Sequence, residues 1–174
     1  MFRRINIIKI VIAHYKSLRN INRKGISYND LILFFIFPLL ISIPCLYYNI
    51  SIKSQISNLA TTLSILAGFL FNLLAIIHNS LGKIKKKLHE NLQEQNMLKL
   101  TFANEIHSNI SYNILVAIFL LVLIFILGLE FSHEEFQFSH NFINFISIFF
   151  LIHFVLTLLM ILNRIYVLLD KEDE

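Results

Sequence analysis

Apolar residues gather into four runs separated by polar or basic stretches: roughly Leu31 to Tyr48, Leu59 to Ile77, Ile110 to Leu129 and Phe142 to Leu162. Each approaches the roughly 20 residues that a helix needs to cross a bilayer core. The pattern predicts an all-α integral membrane protein with four transmembrane helices and a cytoplasmic helical extension. The first run begins about thirty residues into the chain and lacks a small-residue cleavage site after its apolar core. It therefore reads as a retained span and not as a signal peptide.

The runs differ in texture. Between Ser57 and Asn79, the positions Asn58, Thr61, Thr62, Ile65, Gly68, Asn72, Ala75 and Asn79 recur at steps of three and four and share one side of a helix. Polar groups in hydrocarbon need partners or water, so this stripe should pack against other helices or line a wet path. A single four-helix bundle can bury it with no pore at all. Ala60, Ser64 and Gly68 also allow close helix approach, which needs no channel. The third run, NILVAIFLLVLIFILGL, is nearly featureless and reads as a lipid-facing outer helix. Pro38 and Pro44 predict a kink or early end in the first run, or a proline whose freed carbonyls are satisfied by neighbours. Ser27 and Asp30 form a capping-box pattern at its start.

Past Asn79, the positions Leu81, Ile84, Leu88, Asn91, Gln95, Leu98, Phe102 and Glu105 continue the three-four spacing, with Gly82 the one breaker. The second span is expected to run on into a cytoplasmic helix that returns to the third span near Asn109. An ordinary solvated connector fits the same residues.

Charge sets the orientation. Arg3, Arg4, Lys9, Lys16, Arg19, Arg23 and Lys24 precede the first span, and Lys83, Lys85, Lys86, Lys87 and Lys99 lie between the second and third. Lys53 alone occupies the first link, and Glu130 to His140 holds no Lys or Arg. Both termini are therefore expected in the cytoplasm. The expected segments are a basic amphipathic arm (1–28), spans one and two (29–80), a basic helical segment (81–108), spans three and four (109–169) and a short tail (170–174). In the arm, Ile8, Val11, Ile12 and Tyr15 share a face, so docking on anionic membrane lipids is the first explanation and an anionic ligand the second.

Composition narrows the function. The 174 residues are 56% hydrophobic and 15% charged, with mean hydropathy +0.68, which leaves no room for a large soluble enzyme domain. Cys45 is single and cannot form an intrachain disulfide. There is no Gly-rich phosphate loop, nucleophile elbow, HExxH or cysteine pair, so no enzyme, cofactor or metal is expected. His133, Glu134, Glu135 and His140 fit no strong metal spacing. His153, one turn from Thr157 inside the fourth run, is expected to be a neutral histidine making an interhelical hydrogen bond. Lysines beside a span are what topology alone requires. If several second spans surround an axis, however, Lys83, Lys85, Lys86 and Lys87 would ring the inner mouth and hold an anionic ligand.

The segment LSILAGFLFNLLA, Leu63 to Ala75, resembles small four-span membrane effectors of bacterial anti-phage defence, specifically the membrane subunit of Hailong-type systems. The four-span layout and basic inner segment extend the resemblance over most of the chain. It implies an oligomeric ion channel in the bacterial inner membrane, with a tetramer as one candidate size. It also implies a partner nucleotidyltransferase whose single-stranded DNA oligomers hold the channel shut. The resemblance assigns a pore-helix role to Thr61, Thr62, Ile65, Gly68, Phe69 and Asn72, and no ligand contacts. The expected function is therefore a homo-oligomeric pore gated at its cytoplasmic mouth by single-stranded DNA or another nucleotide, with Asn58, Ala75 and Asn79 completing its lining. The alternative is a non-conducting membrane anchor that recruits a soluble partner through its basic inner face.

Overall fold

The computed structural model describes residues 6–18, 28–90, 94–129 and 137–170. All the regular structure among them is helical. Helix α1 spans Ile7–Ser17. A continuous helical stretch follows, made of α2 (Tyr28–Leu31), a π-helical turn (Ile32–Ile36) and α3 (Phe37–Tyr47). A 3₁₀ turn at Lys53–Gln55 leads into α4 (Ile56–Glu90), and α5 (Glu94–Gly128) and α6 (Gln137–Asp170) complete the chain. Ser27, Glu130, His133, Glu134 and Glu135, on which the expected capping box and outer acidic loop rest, lie outside the described residues.

Among the described residues, three helices are long and apolar enough to cross a membrane: Lys53–Lys86, Met97–Gly128 and Phe138–Leu168. This is consistent with a membrane protein. The first expected span is instead a shorter apolar helix, Ile32–Tyr47, interrupted at its start by the π turn.

Helices α4 and α5 form a long antiparallel hairpin. At one end Ile56 packs beside Gly128, with its Cδ1 3.7 Å from where a β-carbon at that glycine would sit. Toward the other, His78 and His107 face one another with ring centroids 6.1 Å apart. Gly82 does not break α4, because the 26 helical residues before it and the eight after it outweigh the roughly 1 kcal/mol penalty of an interior glycine. Helix α4 ends at Glu90, and the helix that continues into the third apolar run begins at Glu94 and not near Asn109. Leu81 is buried in the seam, with Ile84 and Phe102 packed partly against it.

The third apolar run is the centre of the fold. Over its most apolar stretch 56% of α5 is buried within the chain, against 33% for α6 and 22% for α4. Ile106, Ile110, Ala117, Leu120 and Leu127 are fully enclosed. This corrects the expectation of an outer, lipid-facing helix. A helix apolar on every side suits lipid and a ring of other helices equally, and periodicity cannot separate the two. Here α1, α4 and α6 surround it.

Helix α1 runs antiparallel along α5. Ser17 lies level with Asn109, while Val11 shares a cavity with Val116 and Phe119. Its buried His14 and Ser17 face the protein, and Ile8, Lys9, Ile12 and Lys16 remain exposed. The arm is thus docked in a groove, a role its amphipathic pattern serves as well as it would serve a lipid surface.

Candidate functional site

Helix α4 buries Leu63, Ala67, Leu70, Ile77 and Leu81 against α5. At 3.6 residues per turn, the positions diametrically opposite are Thr61, Ile65, Gly68, Asn72 and Asn79, and Lys83 and Lys86 continue the line. Every sequence-derived lining position is exposed: Asn58, Thr61, Thr62, Ile65, Gly68, Phe69, Asn72, Ala75 and Asn79. Ile65 is 67% and Phe69 53% accessible, and nothing lies within 4 Å of where a β-carbon at Gly68 would sit. The chain does not fold over its own polar stripe, which removes the closed single-chain bundle as an account of it.

The polar side chains of α4 differ in what they need. Thr61 donates to the Ser57 carbonyl at 2.9 Å and Ser64 to the Ala60 carbonyl at 2.8 Å, so these hydroxyls are satisfied by their own helix. Asn58 donates to Gln55 Oε1 at 2.9 Å, at the end of the span. Asn72 and Asn79 have no hydrogen-bond partner among the described residues. A single bond to its own helix would satisfy a hydroxyl but still leave most of a carboxamide's donors and lone pairs unmet, and an unbonded amide in hydrocarbon costs roughly 4–8 kcal/mol. Asn72 is the decisive residue, because it lies well inside the apolar run.

The lysine cluster divides by face. Lys83 and Lys86 extend the exposed stripe, whereas Lys85 turns toward α5 and lies near His107. Lys87 belongs to α4, but its side chain lies outside the described residues. No group of three or more His, Cys, Asp or Glu suited to a metal occurs among the described residues.

A buried polar network lies on the other side of α5. His153 Nδ1 donates to the Phe34 carbonyl at 3.0 Å, and its Nε2 accepts from the Tyr112 hydroxyl at 2.9 Å. The carbonyl can only accept, so Nδ1 carries the proton; in the neutral ring Nε2 is then left to accept from Tyr112, and both nitrogens are used. Pro38 explains the need for it. That residue has no N–H to offer the carbonyl four residues back, which is Phe34, and His153 supplies the donor. The interhelical bond expected of His153 is thus present, and Thr157 donates back to the His153 carbonyl at 2.9 Å. The sequence signals for its partners are weak, since neither the π turn nor Tyr112 stands out by spacing.

The network continues to α1. His14 Nδ1 donates to Asn109 Oδ1 at 2.8 Å and its ring stacks on Tyr112, with centroids 3.9 Å apart and planes 7° from parallel. Ser17 Oγ lies 2.8 Å from the same Asn109 oxygen and 2.7 Å from the His14 carbonyl. Arg164 pairs with Glu105 at 3.0 Å and donates to the Ser17 carbonyl at 2.7 Å, clamping the end of α1. Burial lowers the His14 pKa from 6.5 to about 4; the Asn109 hydrogen bond opposes this, and the charge of Arg164 adds to it. His14 Nε2, Asn109 Nδ2 and both polar atoms of the Asn113 side chain are buried without a hydrogen-bond partner among the described residues.

Comparison with protein-family models, with curated proteins and with solved structures gave no match. Function therefore rests on the geometry.

Proposed function

We propose that the chain is one subunit of an oligomeric ion channel in the bacterial inner membrane, with the exposed stripe of α4 as the pore wall. One observation carries this reading: Asn72 lies inside an apolar helix long enough to cross a membrane, exposed and with no hydrogen-bond partner among the described residues, on the side of α4 that faces away from α5. Copies of the subunit around an axis would put water and neighbouring copies against that face. Asn58, Thr61 and Thr62 wet the outer half, Asn72, Ala75 and Asn79 the inner half. Ile65 and Phe69 between them form an apolar constriction beside Gly68 that closes by dewetting.

In this reading the stretch Tyr28–Tyr47 makes the fourth crossing. Its 20 helical residues rise about 30 Å, the thickness of a bilayer core. Both termini are then cytoplasmic, and Lys83 and Lys86 surround the inner mouth. A phosphate-rich ligand binds there, either a single-stranded DNA oligomer or another nucleotide. The resemblance of Leu63 to Ala75 to Hailong-type membrane effectors supports a role in anti-phage defence, with a nucleotidyltransferase as partner and depolarisation as the toxic outcome.

Purified protein in liposomes tests the reading. The channel predicts ion flux that changes when a single-stranded DNA oligomer or a nucleotide is supplied. Flux that never exceeds protein-free liposomes under any of these conditions would establish the rival, a non-conducting anchor. In that case the open space over Gly68 receives a helix of another protein.

A further inference from the structure

A cavity of about 280 Å³ lies between α1, the π turn, α5 and α6, walled mainly by Val11, Tyr15, Phe35, Val116, Phe119 and Phe150. It sits beside the apolar middle of α5 and α6, and Phe119, which is 41% accessible, carries its wall onto the outer surface. The space is partly open, so its occupant is drawn from the medium at that depth.

The lining decides the chemistry of that occupant. Water needs two to four polar partners, and apolar cavities of comparable size stay dry. The polar groups on its wall are already paired: the Tyr15 hydroxyl with the Tyr112 hydroxyl, and the Tyr112 hydroxyl and the Phe34 carbonyl with the His153 ring. The same pairing leaves no donor to recognise the head group of a quinone or other polar amphiphile. Empty space walled by this much hydrocarbon is costly. We propose that the cavity holds the acyl chain of a bilayer phospholipid, inserted between α1 and the π turn. The lipid then supports the docking of α1 from beneath, next to the His14–Tyr112 stack. This inference rests on the membrane embedding of α5 and α6, and not on ion conduction.

The test uses the full-length protein in liposomes containing a phospholipid with a photoactivatable diazirine midway along one acyl chain. After illumination, adducts are mapped by peptide mass spectrometry. Adducts on Val116, Phe119 and Phe150 should exceed, several-fold, those on Val155 and Leu159, two exposed positions of α6. Val11→Phe, which fills the cavity from α1, should remove most cavity adducts and leave those at Val155 and Leu159 unchanged, whereas Val11→Ala should retain them. Even labelling of all five positions, or cavity labelling that survives Val11→Phe, would overturn the proposal alone. Absence of labelling at Val155 and Leu159 as well would overturn the membrane embedding with it.

Discussion

Replacing His153 by Leu removes two buried hydrogen bonds while roughly conserving volume. The Phe34 carbonyl loses its 3.0 Å donor and the Tyr112 hydroxyl its 2.9 Å acceptor. A stranded buried polar group costs about 1–3 kcal/mol, but coupling energies in membrane bundles average nearer 0.6 because freed groups find other partners. Phe34 has little such freedom, since Pro38 withholds the helical amide that would otherwise reach it. The Tyr112 hydroxyl can rotate, so its loss should lie at the low end. The sum is about 2–4 kcal/mol, a fall in Tm on the order of 10 °C for a chain of this size. A double substitution makes the reasoning sharper. In Pro38→Ala the restored N–H can pair with the Phe34 carbonyl, so His153→Leu should cost about 1–2 kcal/mol less in that background than in the natural sequence. The assay is thermal unfolding of the four proteins in detergent, followed by helical circular dichroism. Strict additivity of the two substitutions would refute the link between the proline and the histidine.

Other consequences are equally direct. Ile65→Ala or Phe69→Ala should make expression toxic by leak, seen as loss of membrane potential; unchanged potential at confirmed membrane levels would contradict the constriction. Lys83→Gln with Lys86→Gln should weaken binding of a fluorescent single-stranded DNA oligomer about tenfold or more and flatten its salt dependence, because each lysine that neutralises a phosphate also releases counterions; Lys85→Gln, on the α5 side, should do much less. Arg164→Ala strands the Ser17 carbonyl and Glu105, costing about 2 kcal/mol, and should speed proteolytic cleavage within α1 by a similar energy equivalent. Docking of α1 should weaken in acid. His14 has a pKa of about 4 when docked and 6.5 when released. The released state therefore binds more protons between those values, and stability is complete above pH 6.5 and declines as pH falls toward 4, by at most about 3 kcal/mol. Proteolysis of α1 across this range checks it, with His14→Gln abolishing the dependence.

The sequence makes α4 legible because its two faces differ in chemistry. Leu63, Leu70 and Ile77 alternate with Thr61, Gly68 and Asn72 at helical spacing, and the structure places the former against α5 and the latter outside. Nothing comparable marks α5, whose uniform apolar surface points to the periphery when the helix is in fact the centre. The arm misleads for a related reason: Val11 and Tyr15 form an apolar stripe whether they meet lipid or protein. The neutral, bonded state of His153 follows from the cost of a charge at that depth. Its partners do not, because they depend on a carbonyl freed by a proline 115 positions away in sequence, a tertiary relation no local pattern encodes.

The claim that the α4 stripe lines a conducting path is tested most directly by cysteine accessibility during current recording. In a Cys45→Ser background, Asn72→Cys and, as a control on the flank, the exposed Phe71→Cys are recorded in planar bilayers with a charged, membrane-impermeant thiol reagent. Current that falls on reagent addition for Asn72→Cys and persists for Phe71→Cys is the predicted result. Current through Asn72→Cys that the reagent leaves untouched would place the path elsewhere and contradict the account.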